Sequence, residues 1–275
     1  TTTVSAAGFD VTLDSATNDF TGAVSVTGAN IALVDTNAID LGASTVTGDY
    51  MITAGGAVTQ SGALSVTGMT MISAIGNDVT LNDASNDFVG EVGIDANNVS
   101  ITDINSITFK ASNLSGGLTV NANDGVTING AVSTGAASAI NADSDANGSG
   151  TFAVTAAGSI LTNNNTLSIT ADDIDLQGTL NAGLSDITVL ISDNGTIGLG
   201  NTAGDMTVDG SELQNITAGN LILGSTTNGN VTVDGISAAN SDNVGTVTIN
   251  SGGNIDFSNN DSVFNALNVH AVTDI

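Results

Sequence analysis

The chain has 275 residues, with 28 acidic side chains against a single lysine, no arginine and a formal net charge of −27. This balance excludes proteins that bind nucleic acid through phosphate contacts, because those contacts require lysine and arginine. It also excludes attachment to anionic membranes through a basic patch, whereas it favours solubility and divalent cations as partners.

The residue types predict a chain of strands and turns with almost no helix. Glu91 and Glu212 are the only glutamates, so nearly all the acids are aspartates, which form helices poorly. Valine, isoleucine and threonine favour strands, and aspartate, asparagine and glycine favour turns. The chain has no proline, which fits strands that are paired on both sides. Mean hydropathy of +0.25 argues against disorder.

The first half of the chain is a duplicated unit. Residues 10–20 read DVTLDSATNDF and residues 78–88 read DVTLNDASNDF. Aligned without a gap, residues 1–68 and 69–136 are identical at 27 of 68 positions. Self-similarity at a fixed period is the sequence signature of a repeat architecture.

Each long unit contains shorter ones of about 20 residues. The segments at 22–28, 42–48 and 62–68 read GAVSVTG, GASTVTG and GALSVTG. Alternation of apolar and polar residues places every second side chain on one face, and a unit this short buries that face only against its neighbours. We therefore predict an all-β fold, a parallel β-helix or β-solenoid with coils of about 20 residues; an antiparallel sandwich is the alternative.

By the spacing of hydrogen-bonded strands, roughly 13 coils would give a rod about 60 Å long. In this arrangement the two copies of the eleven-residue segment are expected at the same edge of the rod, three coils or about 14 Å apart. Val11 and Leu13, like Val79 and Leu81, are expected to point inward.

The strict register of the repeat is lost after about residue 136. We divide the chain into a β-helix with two 68-residue repeats over 1–136, a polar loop or insertion over 137–150, and a less regular β-helix over 151–275. No apolar run is long enough to span a bilayer, and no signal peptide is visible. We therefore expect no membrane insertion in this segment.

The polar loop contains a candidate calcium site. Asp143, Asp145 and Asn147 fall at positions 1, 3 and 5 of a calcium loop, and Gly148 falls at position 6. Position 12 is Val154, where the motif requires a bidentate glutamate. A flexible polar loop that protrudes from the rod is the alternative; no other cofactor is expected.

No residue pattern predicts an enzyme. The densest acidic cluster is Asp172, Asp173 and Asp175, and paired carboxylates are the groups used by glycosidases. The alternation of Ile174 and Leu176 within this cluster instead favours a turn that runs into a strand. A polysaccharide lyase needs a basic residue, and the chain has almost none.

The two remaining candidates for chemistry are single residues. Lys110 stands where the first repeat has Gly42, so we interpret it as drift on a solvated face. His270 has no cysteine or second histidine to form a zinc site, and we expect it on the outer face of a strand as a partly covered surface imidazole.

Several blocks of the sequence resemble a known family. NDVTLNDASNDFVG, ANIALVDTNAIDLGASTVTG, MITAGGAVTQSGALSVTG and the run at 194–224 are similar to the repeat region of filamentous-haemagglutinin-like exoproteins. These are large bacterial surface proteins of the two-partner secretion type, with related autotransporter passengers. The resemblance implies a right-handed parallel β-helix, display at the cell surface or outside the cell, and a role as adhesin or stalk. The secretion domain of that family is not recognisable here, so we expect an internal segment.

Three functions follow as hypotheses. The first is a rod segment of a secreted bacterial surface adhesin, whose partners would be host-cell or surface glycans or proteins. The second is a self-assembling subunit of an extracellular filament or matrix, whose partner is another copy of itself. A glycan-processing enzyme is the third and least supported.

Overall fold

The computed structural model describes all 275 residues, and nearly every regular element is a short strand. The elements are β1 Thr2–Ser5, β2 Val11–Leu13, β3 Val24–Gly28, β4 Ile31–Asp35, β5 Ile39–Leu41, β6 Ser44–Val46, β7 Tyr50–Ala54, β8 Val58–Gln60, β9 Leu64–Val66, β10 Thr70–Ser73, β11 Val79–Leu81, β12 Asp87–Phe88, β13 Val92–Ala96, β14 Val99–Asp103, β15 Ile107–Phe109, β16 Ser112–Leu114, β17 Leu118–Ala122, β18 Val126–Ile128, β19 Ala131–Ser133, β20 Ser138–Asn141, β21 Thr151–Val154, β22 Ser159–Leu161, β23 Leu167–Ala171, β24 Asp173–Leu176, β25 Thr179–Asn181, β26 Asp186–Ile191, β27 Ile197–Gly200, β28 Met206–Val208, α1 Gly210–Gln214, β29 Ile216–Leu223, β30 Val231–Asp234, α2 Ala238–Ser241, β31 Val244–Ser251, β32 Ile255–Phe257 and β33 Leu267–Ala271.

The strands pair in parallel with the strand one turn further along the chain. In one stack β2 pairs with β4 and β4 with β7, so that Val11, Ile31 and Tyr50 lie above one another. A second stack runs from β1 and β3 to β31 and β33 on the other face. The chain thus forms a β-solenoid of about 14 turns of roughly 20 residues, as predicted. At the spacing of paired strands the rod is about 65 Å long.

The 68-residue repeat does not return to the same face of the rod. Within one stack, Thr27 pairs with Thr45, Thr45 with Ser65, and Ser65 with Asp87. These three pairings complete three turns of the solenoid, and the chain from Thr27 to Asp87 is shorter than one 68-residue unit. The remaining residues of the unit add another half turn. Consequently the strand of Val11 lies in one stack and its copy in the other. The expectation of a shared edge was therefore wrong, and successive units are related by a half turn and a rise of about 17 Å.

The interior is one continuous apolar column. Alternate residues of most strands are buried, and the buried apolar residues form a single cluster of 64 that runs from Val11 to Ile255. Val79 and Leu81 point inward and are fully buried, as predicted, whereas Leu13 in the first turn is half-buried. Stacking identical positions at the coil spacing buries apolar area along the entire axis, which a single coil cannot do.

The segment predicted as a polar loop is shorter than expected. Residues 138–141 form strand β20, which pairs with β17 below and β23 above, because Ile140 continues the buried column. Only residues 142–150 of this segment lie between strands. They increase the number of residues between Ser138 and Leu167, its paired position in the next coil, beyond that of any earlier coil.

The second half continues the solenoid with less regular coils. Asp186 pairs with Asn220, and Ala218 pairs with Val244. In both cases more residues separate the paired positions than in any coil between β1 and β20. The extra residues form a third stack in the order β28, β27, β30 and β32, together with the two short helices. Neither helix has the length or the apolar character to cross a membrane.

Phe88 is buried in the apolar column above β9, whereas the side chain of Phe9 is 74% exposed. We expect Phe88→Ala to lower the free energy of unfolding by about 3–5 kcal/mol. The control Phe9→Ala should cost clearly less. Urea unfolding of both variants measures the difference, and equal losses would contradict the assignment of Phe88 to the column.

Candidate functional site

The most distinctive surface feature is a ladder of aspartate and asparagine side chains along the corners of the rod. Asp10 Oδ1 accepts hydrogen bonds from the backbone N–H of Asn30 at 3.0 Å and from its side-chain amide at 2.9 Å. Asn30 Oδ1 accepts from the N–H of Asp49, and Asp49 Oδ1 accepts from the N–H of Met69. Each side chain therefore binds the backbone of the next coil. We call this set, with its counterparts in the second repeat, the corner ladder.

The second repeat contains the same ladder. Asp78 accepts from the N–H and the side-chain amide of Asn98 and from the amide of Asn97, all at 2.9–3.0 Å. The backbone N–H of Asn98, followed by the two amides, holds the pKa of Asp78 below its usual value. Asp78 thus stays charged, and the aspartates at these corners bind the backbone of the next coil, where the sequence predicted only turns.

Two further aspartates, Asp35 and Asp103, lie closer to the core than the corner ladder. Asp103 is buried and accepts from the N–H groups of Phe88 at 2.7 Å and Asn105 at 2.8 Å. Asp35 makes the equivalent bonds to Phe20 and Asn37, each 3.0 Å long. Burial raises the pKa of Asp103 to about 6, since removal from water outweighs the two hydrogen bonds that favour the charged form.

In the segment 142–150 the three predicted calcium ligands make contacts within the loop. Asp143 is buried, and its two carboxylate oxygens accept from the N–H groups of Asn147 and Gly148, each at 3.2 Å. The exposed Asp145 accepts from the side-chain amide of Asn147 at 2.8 Å. Asp143 therefore closes the loop on itself, and it also accepts from the hydroxyl of Ser192 and so binds the loop to the residue after β26. The structure contains no group of three acidic, histidine or cysteine side chains arranged for a metal, and calcium binding stays a prediction.

Several acidic side chains from neighbouring coils converge beside this loop. Gly148 has φ +78°, and a Cβ added to it would lie 3.7 Å from an oxygen of Asp172 and 3.8 Å from one of Asp193. Burial raises the pKa of Asp172, and the charges of Asp193, Asp143, Asp173 and Asp205 raise it further. This cluster of like charges, with no cation from the chain, is locally unfavourable for folding.

In the acidic cluster identified from the sequence, Asp173 and Asp175 lie in β24 and bind neighbouring groups of the chain. Ile174 and Leu176 are buried, as their alternation indicated. Asp173 accepts from the N–H of Thr207 at 2.9 Å and so joins β24 to the third stack. Asp175 is exposed and accepts from the amide of Gln177.

Helix α1 is a feature that the sequence interpretation missed. Asp209 is its N-cap and accepts from the N–H groups of Ser211 and Glu212, while Glu212 accepts from the N–H of Asp209 at 2.8 Å. Glu212 also accepts from the N–H of Leu176 at 3.1 Å, so the helix covers the edge of β24. Aspartate followed three residues later by glutamate is a capping-box signal, and it could have located this helix.

The two single basic residues lie far apart along the rod. Lys110 is half-buried, and its ammonium group donates to the sulfur of Met69 at 2.9 Å. His270 lies in β33 and is exposed. The surface depressions are shallow grooves between coils, such as the one lined by Asp78, Asn98 and Gly117.

The fold and the corner ladder define a β-solenoid repeat protein. A family of repeats of unknown function, DUF5649, matches residues 1–27, 28–95 and 96–148 in three consecutive segments. These segments cover more than half of the chain, which therefore belongs to this family. The middle match is one complete 68-residue unit. No curated protein and no solved structure matches the chain.

Opposite effects are expected for two aspartates of the surface. Asp172→Asn removes a charge from the acidic cluster and should raise the melting temperature at pH 7. Asp78→Ala removes the oxygen that accepts three hydrogen bonds in the corner ladder and should lower it. Calorimetry at low ionic strength measures both shifts; shifts of the same sign would contradict the electrostatic assignment.

Asp103 should make stability depend on pH. Its pKa in the folded protein, about 6, lies above the ordinary value of 3.8, so its contribution is complete below about pH 4 and is lost as the pH rises through 6. Allowing for screening by solvent, the loss is about 1–2 kcal/mol. Urea unfolding at pH 4.5 and 6.5 measures it. Asp103→Asn should lack this loss of stability between pH 4.5 and 6.5. If the free energy of unfolding of the variant changed with pH as much as that of the wild type, the assignment to Asp103 would be refuted.

Proposed function

We propose that this chain is a rod segment of a large secreted bacterial surface adhesin, located outside the cell or on its surface, where it acts as a stiff stalk. The observation that carries the proposal is the unbroken column of 64 buried residues enclosed by parallel ladders from the first coils to the last. Bending such a rod would break hydrogen bonds between coils on the outer side, so the rod holds its ends at a constant separation.

The chemistry of the surface supports this location. The acidic corners keep the rod soluble and make separate rods repel one another. The chain has no cysteine, so its stability does not depend on the redox state of the compartment. The resemblance to surface exoproteins favours the adhesin over other rod-shaped proteins. We propose no enzymatic role, since Asp173 binds backbone and Asp175 binds a side-chain amide.

The segment 142–150 is the proposed contact with host or surface glycans or proteins, because it is the place in the first two thirds of the rod where polar side chains leave the regular coil. Ser144, Asp145 and Asn147 are exposed there. A partner would bind these exposed side chains without disturbing the packing of the apolar column beneath them.

Small-angle X-ray scattering and bead attachment test the two parts of the proposal separately. Scattering should give a monomer about 65 Å long, with a constant cross-section. Beads coated with the chain should attach to host cells, and deletion of residues 144–149 should reduce attachment about tenfold, equivalent to about 1.4 kcal/mol. Leu184→Ser, a change in another exposed turn, is the control. Rods that do not attach would reject the adhesin and leave the rod intact.

A second candidate function is a subunit of an extracellular filament. The observation that favours it is that every coil pairs in parallel with the next through backbone hydrogen bonds, so a coil of the same kind from another copy would extend the ladder in the same way.

A further inference from the structure

The single lysine of the chain makes an unusual contact. In a chain with 28 acidic side chains, Lys110 Nζ donates to the sulfur of Met69 at 2.9 Å and to no carboxylate. Both side chains are half-buried. Met69 directly precedes β10 and Lys110 directly follows β15, so the contact joins residues that are 41 positions apart in sequence and two coils apart along the rod. The one side-chain amine of the protein is thus held against a thioether.

Hydrogen bonds between coils fix the backbone of both residues. The N–H of Met69 donates to Asp49 Oδ1 at 2.9 Å, and the carbonyl of Met69 accepts from the N–H of Tyr50 at 2.8 Å. The N–H of Lys110 donates to the carbonyl of Val92 at 3.0 Å. Because these bonds hold the two backbones at a constant separation, the amine and the sulfur meet without any change in the fold. Such positioning raises the rate of a reaction between two groups.

Gly93 makes room for the lysine side chain. It lies in β13, the strand between β10 and β15 in this stack. A Cβ at this position would lie 3.0 Å from Lys110 Cγ and 2.7 Å from Met71 Sδ. The lysine side chain therefore passes over the glycine on its way to Met69 instead of extending into solvent.

The first repeat unit lacks this pair. Gly42 stands at the position of Lys110, and Thr1 stands at the position of Met69. Ser25 occupies the position of the intervening glycine. The coil therefore forms without a thioether and an amine at these positions, and the contact is a local feature of the second unit that the repeat architecture does not require.

We propose that Met69 and Lys110 are a modification site, at which a hypohalous acid joins the two side chains through a sulfur–nitrogen double bond, a sulfilimine. The new bond connects the two atoms that are already in contact. The product is a covalent link between the first and the third of three successive coils. This inference goes beyond the rod and adhesin functions and holds for either of the two candidate functions.

The reaction is a two-electron oxidation of sulfur. The lone pair of Met69 Sδ displaces hydroxide from hypobromous acid and forms a sulfur–bromine bond. Lys110 Nζ, after its ammonium group has lost one proton to water, attacks the sulfur, so that a sulfur–nitrogen bond forms while the sulfur–bromine bond breaks and bromide leaves. Two further N–H protons are then lost, one of them to the hydroxide, which becomes water. Bromine is thereby reduced to bromide, and the thioether is oxidised to the sulfilimine.

Met51 provides an internal comparison for this chemistry. It lies beside Met71 in the adjacent coil, and its side chain is 54% exposed. A brominated thioether without an amine in contact reacts with water and becomes a sulfoxide. The same oxidant should therefore give a sulfoxide at Met51 and the sulfilimine at Met69.

The composition of the chain makes the product simple to detect. Trypsin cuts after lysine and arginine, so it can cut this chain only between Lys110 and Ala111. The sulfilimine replaces the ammonium group that trypsin recognises and therefore blocks the cut in the unfolded chain. The linked pair of peptides is lighter than the sum of its parts by two hydrogens, about 2 Da, whereas a sulfoxide is heavier by one oxygen, about 16 Da.

Three variants separate the sulfilimine from other oxidation products. Met69→Leu removes the sulfur, and Met71→Leu is its matched control in the same patch. Lys110→Arg keeps the charge and the trypsin site but has no primary amine. Leucine is close to methionine in volume, so both leucine variants should keep the packing, and circular dichroism checks that all three fold.

Treatment of the purified, folded chain with hypobromous acid at pH 8, followed by unfolding in urea, trypsin digestion and peptide mapping, provides the test. The wild type and Met71→Leu should resist cleavage, with residues 69 and 110 joined. Met69→Leu and Lys110→Arg should be cut as before treatment. Wild type that is unfolded before treatment should contain sulfoxides only, because the contact between the two side chains is then lost.

A thermal melt gives a second, independent result. The treated wild type should melt at a higher temperature than treated Met69→Leu, each compared with its untreated form, since the new bond closes a loop of 41 residues. A folded wild type that acquires a sulfoxide at Met69 and is still cut at Lys110 would overturn the proposal. A link to Lys110 that persists in Met69→Leu would also overturn it.

Discussion

The hydrogen bond between one coil and the next is the constraint on which the rest of the molecule depends. Each strand must find its donors and acceptors one coil further along the chain, so every position is tied to the same position in the adjacent turn. Proline is therefore absent, and residues that approach the neighbouring backbone must be small. A Cβ on Gly90 would lie 2.1 Å from the carbonyl oxygen of Gly68, which explains why the turn after Phe88 has glycine. The apolar column follows from the same register of hydrogen bonds, because that register places apolar residues of one coil directly above apolar residues of the coil before it.

The acidic composition is a consequence of this architecture as well as a surface property. At each corner the chain turns and leaves an N–H of the next coil without a strand partner. A short side chain with an acceptor oxygen satisfies it, and aspartate and asparagine are the residues that reach. Asp10, Asn30 and Asp49 show how the two residue types alternate along one corner. Backbone N–H groups thus stabilise part of the negative charge of a chain that has almost no basic residues.

The periodicity of the sequence was sufficient to predict the solenoid, the coil length and the inward set at Val79 and Leu81, because these depend on local alternation and a fixed spacing. The half turn between repeat units was not predictable in the same way. It depends on the sum of individual coil lengths, which differ between the short step from Val24 to Leu41 and the longer step from Thr2 to Val24. The closure of the 142–150 loop by Asp143 depends on burial, which the motif spacing does not contain. Helix α1 had a readable signal in Asp209 and Glu212, but it was outweighed by the strand-rich composition.

The half turn per unit has a consequence for how proteins of this family can change in length. Gain or loss of one unit by recombination would shift everything beyond it by about 17 Å and also turn it to the opposite side of the rod. A loop that faced a target surface would then face away from it. Two units together would restore the original direction and add about 34 Å. Selection on a surface loop would therefore favour even changes in unit number, and the parity of the repeats would be inherited even where their sequences drift.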